Sequence, residues 1–412
     1  MDADDEYRAA MQRWVAEAAA KSVTLEDLFA RLPSIYPVDV TAALDDLSQQ
    51  GALSSQAVSL LARLREPARP RTLGDQDPLP LPLPHPLDFE WRFDKDTASR
   101  LAAKVAQLTE CGDHVVLLGV PTLALIGPQH VRDREWTLIE RNRAIVPALR
   151  SRQLRRIDTE IDATFGEADA KVAVLDPPWY EAEIITFLAA AARMCVVGAR
   201  VLLCLPPVGV RPGVLDERSR VMSAAVEFGL ALENLEQLYL SYDTPFFERQ
   251  SLVAAGILGT PWSWRRGDLA QFVLQRKVSP VAPASASVSR PAWVEAAIGR
   301  VRVKVRVDLQ LGQDPSLRRI VDEDILLSVS RRSPIRDRIV IWTSGNRVFG
   351  CHNPELLFTA LAARGYAVDA TSGPPLSRAD RLQRLAAEAA VNQLETIAAL
   401  EEQEALAMGV VL

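Results

Sequence analysis

Short apolar runs bounded by turn formers organise the middle of the chain. Val115-Val116-Leu117-Leu118, Trp136-Thr137-Leu138-Ile139 and Val172-Ala173-Val174-Leu175 are hydrophobic almost without interruption. That is the pattern of strands buried on both faces of a parallel sheet. A fourth run, Arg200 to Leu205, stops at Pro206-Pro207. Between the runs, Asp96 to Leu108 and Glu181 to Met194 carry apolar residues at helical spacing. Leu235 to Tyr242 and Ser251 to Leu258 read as paired antiparallel strands joined through Pro245-Phe246-Phe247-Glu248. The alternation predicts a doubly wound α/β sheet over residues 88–277.

The flanks read differently. Residues 1–65 predict helices: Glu6 to Ala20, a second capped by Thr24, and a third that runs to Gln50 before Gly51 ends it. A short helix, a tight turn and a helix with Val40, Ala43 and Leu47 on one face suggest a helix-turn-helix or winged-helix-like module. Its presumed recognition helix carries Asp39, Asp45 and Asp46 and no Lys or Arg, which favours packing or a protein partner over DNA. Residues 66–87 form a linker in which Pro78, Pro80, Pro82, Pro84 and Pro86 fall at every second position, excluding a helix. A second linker, rich in Pro, Ala and Ser, covers 278–291. Residues 292–412 read as an α+β region, with strands around Val301 to Leu309 and Ile339 to Trp342. It ends in a long helix bearing Leu382, Leu385, Val391, Leu394, Ile397 and Leu400. That stripe suits packing within the chain, or a dimer seam.

Composition narrows the classes. A chain of 412 residues, 48% hydrophobic and 24% charged, fits a soluble protein of two or three domains. A net charge of −6 argues against nonspecific coating of nucleic acid. No apolar run reaches membrane-spanning length, and the acidic start is unlike a signal sequence. Cys111, Cys195, Cys204 and Cys351 lie far apart, so neither a disulfide framework nor a metal site is expected, and a cytoplasmic location with reduced thiols is. One local excess stands out: Arg290 to Gly350 holds twelve Lys or Arg against seven Asp or Glu, densest at Arg331, Arg332, Arg336, Arg338 and Arg347. It is a candidate nucleic-acid contact, with a solvated, ion-paired surface as the alternative.

The chemistry concentrates at Asp176-Pro177-Pro178-Trp179, directly after the third run. Ligands of open α/β sheets bind outside the carboxyl ends of strands. A carboxylate beside a rigid turn of outward carbonyls there makes an acceptor cluster for an amino group, and Trp179 or Tyr180 offers a flat face for a planar substrate. The tetrad resembles the Asp-Pro-Pro-aromatic motif of amino-directed class I methyltransferases, which have a seven-stranded Rossmann-like sheet. That resemblance implies S-adenosylmethionine as cofactor and an exocyclic amine, adenine's first, as target. It implies catalytic roles for Asp176, Pro177, Pro178 and Trp179, and cofactor contacts at Gly119, Thr122 and Glu140. Glu140 lies 21 residues after Gly119, where an acid accepts from the cofactor's ribose hydroxyls. Tyr242, Phe247, Glu248 and Arg211 are further candidates for a substrate pocket.

The loop after the first strand departs from the family, since Gly119-Val120-Pro121-Thr122 has one glycine where the family has two. The layout also resembles the branched-chain polyamine synthases, aminopropyl transferases that hold a cationic substrate with a Gly-Asp-Asp-Asp loop. Here Val120, Pro121 and Thr122 replace its three acids. Three readings stay open: an N-methyltransferase, an aminopropyl or small-amine transferase, and a noncatalytic scaffold on the same fold.

Overall fold

The computed structural model describes residues 3–68, 81–149, 154–157, 161, 166, 168–278, 292–309, 311–331, 333–368 and 379–410. The chain divides into two compact units. The first comprises Met1–Ala68, Trp91–Thr244 and Ile257–Ala286, and the second Arg69–Glu90, Pro245–Gly256 and Ser287–Leu412.

The first unit begins with helices α1 (Ala3–Ala20), α2 (Leu25–Arg31), α3 (Pro37–Gln49) and α4 (Ser55–Leu64). Thr24 caps α2 by accepting from the Asp27 amide, as its sequence position predicts. No strand accompanies these helices among the described residues, so the expected helices are present and the wing has no counterpart there. Their core faces the rest of the unit. The Tyr7 hydroxyl donates to the Gly209 carbonyl at 3.0 Å, the Ser34 hydroxyl donates to the Arg266 carbonyl, and the Leu258 amide donates to the Leu64 carbonyl at 2.8 Å.

The rest of the unit is a sheet with helices between its strands. In chain order it runs β1 (Arg92–Phe93), α5 (Lys95–Leu108), β2 (His114–Leu118), α6 (Pro121–His130), β3 (Glu135–Ile139), α7 (Val146–Leu149) and β4 (Arg155–Ile157). Then follow β5 (Ala170–Leu175), α8 (Glu181–Met194), β6 (Cys195–Leu205), α9 (Val214–Glu227), β7 (Leu230–Asp243) and β8 (Arg265–Leu274). The sheet order is β1-β7-β8-β6-β5-β2-β3-β4. The strands from β4 to β6 are mutually parallel, and β8 pairs antiparallel with both β6 and β7. Seven strands thus make the expected Rossmann-like sheet, and the two-residue β1 adds an eighth at the free edge of β7. Val116, Leu118, Ala173, Leu175, Val201 and Leu203 are fully buried in the core that also takes up α8. This is why the central runs lack alternation.

The last pairing differs from the sequence expectation. Residues 246–254 form a helix, α10 (Phe246–Ala254), and the partner of β7 is Arg265–Leu274. The strand was hidden because it opens Arg265-Arg266-Gly267-Asp268, a polar start for a buried element. Asp268 is tolerated there because Arg218, also buried, donates to it at 2.5 Å. Its other oxygen accepts from the Leu238 amide at 2.8 Å. Leu238 adopts φ +52° inside an irregularity of the β7–β8 register between Glu236 and Leu240. Such a bulge changes which residues face the core.

The second unit holds α10 together with β9 (Trp293–Ile298), β10 (Val301–Arg306), β11 (Arg318–Arg319), β12 (Ile341–Thr343), β13 (Val348–Gly350), α11 (Pro354–Ala363) and α12 (Arg381–Ala407). Its antiparallel sheet has the order β11-β13-β12-β10-β9. Val303, Val305, Ile341, Leu357, Leu361, Val391 and Leu394 share one core. The end of the first proline-rich segment is packed into this unit. The buried His85 ring bonds the Trp342 carbonyl at 2.9 Å, and Asp88 pairs with Arg302 and Lys304. Those two cations, working against burial, hold the Asp88 carboxyl well below the usual carboxylate range. Pro78 and Pro80 of the same linker, and nearly all of the second linker, lie outside the described residues.

Candidate active site

Three adjacent parallel strands deliver three of the expected residues to one edge of the sheet. In register, Ile139 of β3 stands beside Leu118 of β2, and Leu118 beside Leu175 of β5. Glu140, Gly119 and Asp176 are the next residues of those strands. The Gly119 amide donates to the Ile139 carbonyl at 3.0 Å, and the Asp176 amide to the Leu118 carbonyl at 3.1 Å. Gly119 has φ +66°, in the left-handed region, and a Cβ there would lie 3.3 Å from the Phe187 ring and 3.4 Å from the Asp176 carbonyl oxygen. The position therefore needs glycine for both backbone angle and space.

Asp176 is the most perturbed acid of this edge. The Tyr242 hydroxyl donates to its Oδ1 at 2.9 Å. Burial pushes its carboxyl up to about 7, against the Tyr242 hydrogen bond, the nearby Arg265 charge and a Cys204 hydrogen bond. The Glu140 charge pushes in the same direction as burial. Tyr242 and Cys204 are themselves buried, and burial together with the Asp176 charge raises both well above their ordinary values. Tyr242 is one of three consecutive buried residues that follow the bulge of β7.

The tetrad is held by its own turn. The Tyr180 amide donates to the Pro178 carbonyl at 2.7 Å, and Arg211 donates to the Trp179 carbonyl at 2.9 Å. Arg211 also pairs with Glu217. Arg211, expected in the substrate pocket, thus braces the turn that carries Trp179. With those two carbonyls engaged, the Pro177 carbonyl has no partner among the described hydrogen bonds.

Trp179 stands in an aromatic cage around an internal cation. The Arg265 guanidinium lies 3.9 Å from the centre of the Trp179 ring, 4.3 Å from Trp91 and 5.8 Å from Tyr242. Tyr242 meets Trp179 edge-on, with ring centroids 5.8 Å apart at 85°. One face of Trp179 is thereby covered by Arg265. Tyr180, partly exposed at the start of α8, is the remaining tetrad-side aromatic for stacking. Sequence reasoning missed Arg265 and Trp91. They carry no motif: Arg265 comes to the site by its register opposite Tyr242 at the start of β8, and Trp91 by the pairing of the adjacent β1 with β7.

The other expected residues fall elsewhere. Thr122 is buried in the first turn of α6, which starts two residues after Gly119 with Pro121 in first position. Phe247 and Glu248 are buried on α10, in the second unit, whereas Asp176 and Tyr242 belong to the first. A groove of about 470 Å³ lined by Trp14, Glu17, Lys21, Arg31, Pro33 and Val208 lies between the N-terminal helices and the loop after β6. No cluster of His, Cys, Asp or Glu fit to hold a metal ion occurs among the described residues.

The basic stretch is largely engaged. Arg302 pairs with Asp88 and Glu295, and Arg347 with Glu401 and Glu404. Arg331 stacks over Phe89 at 4.2 Å and Arg336 over Trp342 at 4.8 Å. Arg338 is exposed, and Arg290 and Arg332 lie outside the described residues. Among those residues no helix is long and apolar enough to cross a membrane.

The edge suits part of the expected cofactor. Gly119 leaves the room that a side chain would fill, and the Glu140 carboxylate stands next to it at the strand end, accepting the Asn142 amide at 2.9 Å. No family profile matches the chain, and no curated protein sequence matches it. Solved structures do. A C9 mutein of the branched-chain polyamine synthase from Thermus thermophilus, in complex with N4-aminopropylspermidine and 5'-methylthioadenosine, aligns at 13% identity and a TM-score of 0.50, covering 67% of this chain and 92% of that one. The unmodified synthase aligns over the same shares at 13% identity and a TM-score of 0.45. A TehB-like SAM-dependent methyltransferase from Corynebacterium glutamicum covers 44% of this chain and 89% of its own, at 13% identity and a TM-score of 0.30. At these identities the likeness speaks for the fold alone, and only the first score is high enough to count. What this chain shares with that protein is the methyltransferase-like fold.

Proposed function

We propose that this chain is an S-adenosylmethionine-dependent N-methyltransferase acting on an exocyclic amino group, with adenine the candidate target. The carrying observation is the row of Glu140, Gly119 and Asp176 at the ends of three neighbouring parallel strands. Glu140 would hold the cofactor's ribose hydroxyls and the Gly119 backbone would line its approach. When bound, S-adenosylmethionine supplies a methyl group already activated on a sulfonium centre. The protein's task is then mainly alignment.

Ionised Asp176 accepts one hydrogen of the target amine and the Pro177 carbonyl accepts another. This orients the nitrogen lone pair and stabilises positive charge as it grows on nitrogen. Tyr242 fixes the carboxylate, and Arg211 fixes the turn that carries Pro177. Since Trp179 has one face under Arg265, the target ring stacks on Tyr180 or on the open part of the cage. A base within a duplex would have to be flipped out to reach this edge.

A second reading, aminopropyl transfer, is favoured by one observation: the alignment covers 92% of a polyamine synthase solved with N4-aminopropylspermidine and 5'-methylthioadenosine. Against it, the positions after Gly119 hold no carboxylate, and the cation nearest Asp176 is the protein's own Arg265. Both features disfavour a polycation. The test is mass-spectrometric detection of S-adenosylhomocysteine after incubation with S-adenosylmethionine and either adenine-containing oligonucleotides or small amines. Product should form with the oligonucleotides and fall roughly 100-fold or more in Asp176→Ala. Equal turnover in that variant would remove Asp176 from the chemistry.

A further inference from the structure

The cage around Arg265 is assembled in layers, all of them within the first unit. Phe93 of β1 lies opposite Tyr242 of β7, and Tyr242 opposite Arg265 of β8, so the three side chains form one row on one face of the sheet. Two positions along β8, Gly267 makes room for the tetrad. A Cβ there would lie 3.2 Å from the Trp179 ring and 3.3 Å from the Tyr242 ring. The buried Trp264 holds Trp91 edge-on, with ring centroids 5.6 Å apart at 88°, and packs in turn against Phe29 and Tyr36. The backbone beside Arg265 is fixed as well, because the Ser34 hydroxyl bridges the amide and the carbonyl of Arg266.

Two indole rings and a phenol around one point, with a carboxylate bonded to the phenol, are the parts that hold an alkylammonium ion. Here the chain supplies the cation itself. A fixed positive charge in the cage repels a second one beside Asp176. Aliphatic amines are protonated at neutral pH, with an ordinary pKa of about 10, and in that form have no lone pair to take up a methyl group. The exocyclic amine of a heteroaromatic ring is neutral. We propose that Arg265 is a specificity-determining residue: by occupying the cage of Trp91, Trp179 and Tyr242 it closes the Asp176 site to alkylammonium ions and leaves it to neutral aromatic amines. The choice of acceptor rests on the amine-transfer reading above, whereas the exclusion of cations by Arg265 can be measured without any transfer.

The test is titration of the full chain with tetramethylammonium chloride, whose charge is permanent, followed by calorimetry and indole fluorescence. Sodium chloride keeps the ionic strength constant at about 0.1 M, so that screening does not vary. Arg265→Ala and Arg265→Gln, the second keeping more of the side-chain stem, should each bind the probe at least about 10-fold more tightly than the parent. Methylguanidinium, the head group removed, should compete with the probe in both variants. Trp179→Leu added to Arg265→Ala should abolish the gain. Near-ultraviolet circular dichroism matching the parent identifies the folded variants. No gain in a folded variant, equal binding by the parent, or a gain that survives Trp179→Leu would overturn the proposal. A gain in cation binding by a chain that transfers no methyl group would uphold the exclusion while removing the transferase reading, so the two failures are distinguishable.

Discussion

At the scale of single residues, the site is built on a carboxylate placed where carboxylates are disfavoured. Burial raises the Asp176 carboxyl from its ordinary 3.8 to about 7. A raised folded-state value means the protonated acid is favoured by folding. Its contribution is complete below the ordinary carboxylate range and is lost as pH rises through about 7. Asp176→Asn keeps an acceptor for Tyr242 and removes the charge. It should therefore melt above the parent at about pH 8 and close to it at about pH 4, with a gain on the order of 1–3 kcal/mol at the higher pH. Thermal melts at the two pH values decide this, and identical pH dependence in both proteins would mean that Asp176 titrates normally. Glu401 shifts upward to about 7 by burial as well, so the parent alone cannot isolate Asp176. The amine needs the ionised form, so transfer should rise with pH through about 7. Arg265 lowers the Asp176 value, and Arg265→Ala should move the midpoint of the pH–rate profile upward. A midpoint that stays put or falls would show that the guanidinium does not act on Asp176.

At the scale of elements, the parallel strands were legible because burial on both faces leaves an unbroken apolar run, as in Val172 to Leu175. Gly119, Glu140 and Asp176 were legible as the residues that follow such runs. What escaped was the antiparallel end of the sheet. β8 begins with four residues that look like a surface turn, and the burial of Asp268 among them depends on Arg218, an ion-pair partner 50 residues away. Ser251 to Leu258 looked more like a strand than it is, since only Ser251-Leu252-Val253 carries that pattern within a helix begun after Pro245. Asp268 links these facts to the site, because it holds the bulge at Leu238 that precedes Tyr242. Asp268→Ala leaves the buried Arg218 unpaired and should cost about 3–5 kcal/mol by denaturant unfolding. A loss under about 1 kcal/mol would show that the pair is dispensable.

At the scale of the whole molecule, the N-terminal helices are anchored on the sheet of their own unit, and they reach the neighbourhood of the site both at Arg266, beside Arg265, and at the loop after β6. Tyr7 bonds Gly209, and Arg211, two residues on, holds the Trp179 carbonyl. Gly209 has φ +97°, and a Cβ there would lie 2.9 Å from the Trp14 ring. The chain's net charge of −6, with its basic stretch mostly stacked or paired, predicts weak oligonucleotide binding with a shallow dependence on salt, since few phosphates would be neutralised. The central claim concerns the cofactor, and calorimetric titration of the intact chain tests it most directly. S-adenosylmethionine and S-adenosylhomocysteine should both bind, and bind better than decarboxylated S-adenosylmethionine. Glu140→Ala should weaken binding by about 1.5–3 kcal/mol, the value of a charge-assisted hydrogen bond. Preference for the decarboxylated compound would contradict methyl transfer in favour of aminopropyl transfer, and no heat with any of the three would contradict a cofactor site at this edge altogether.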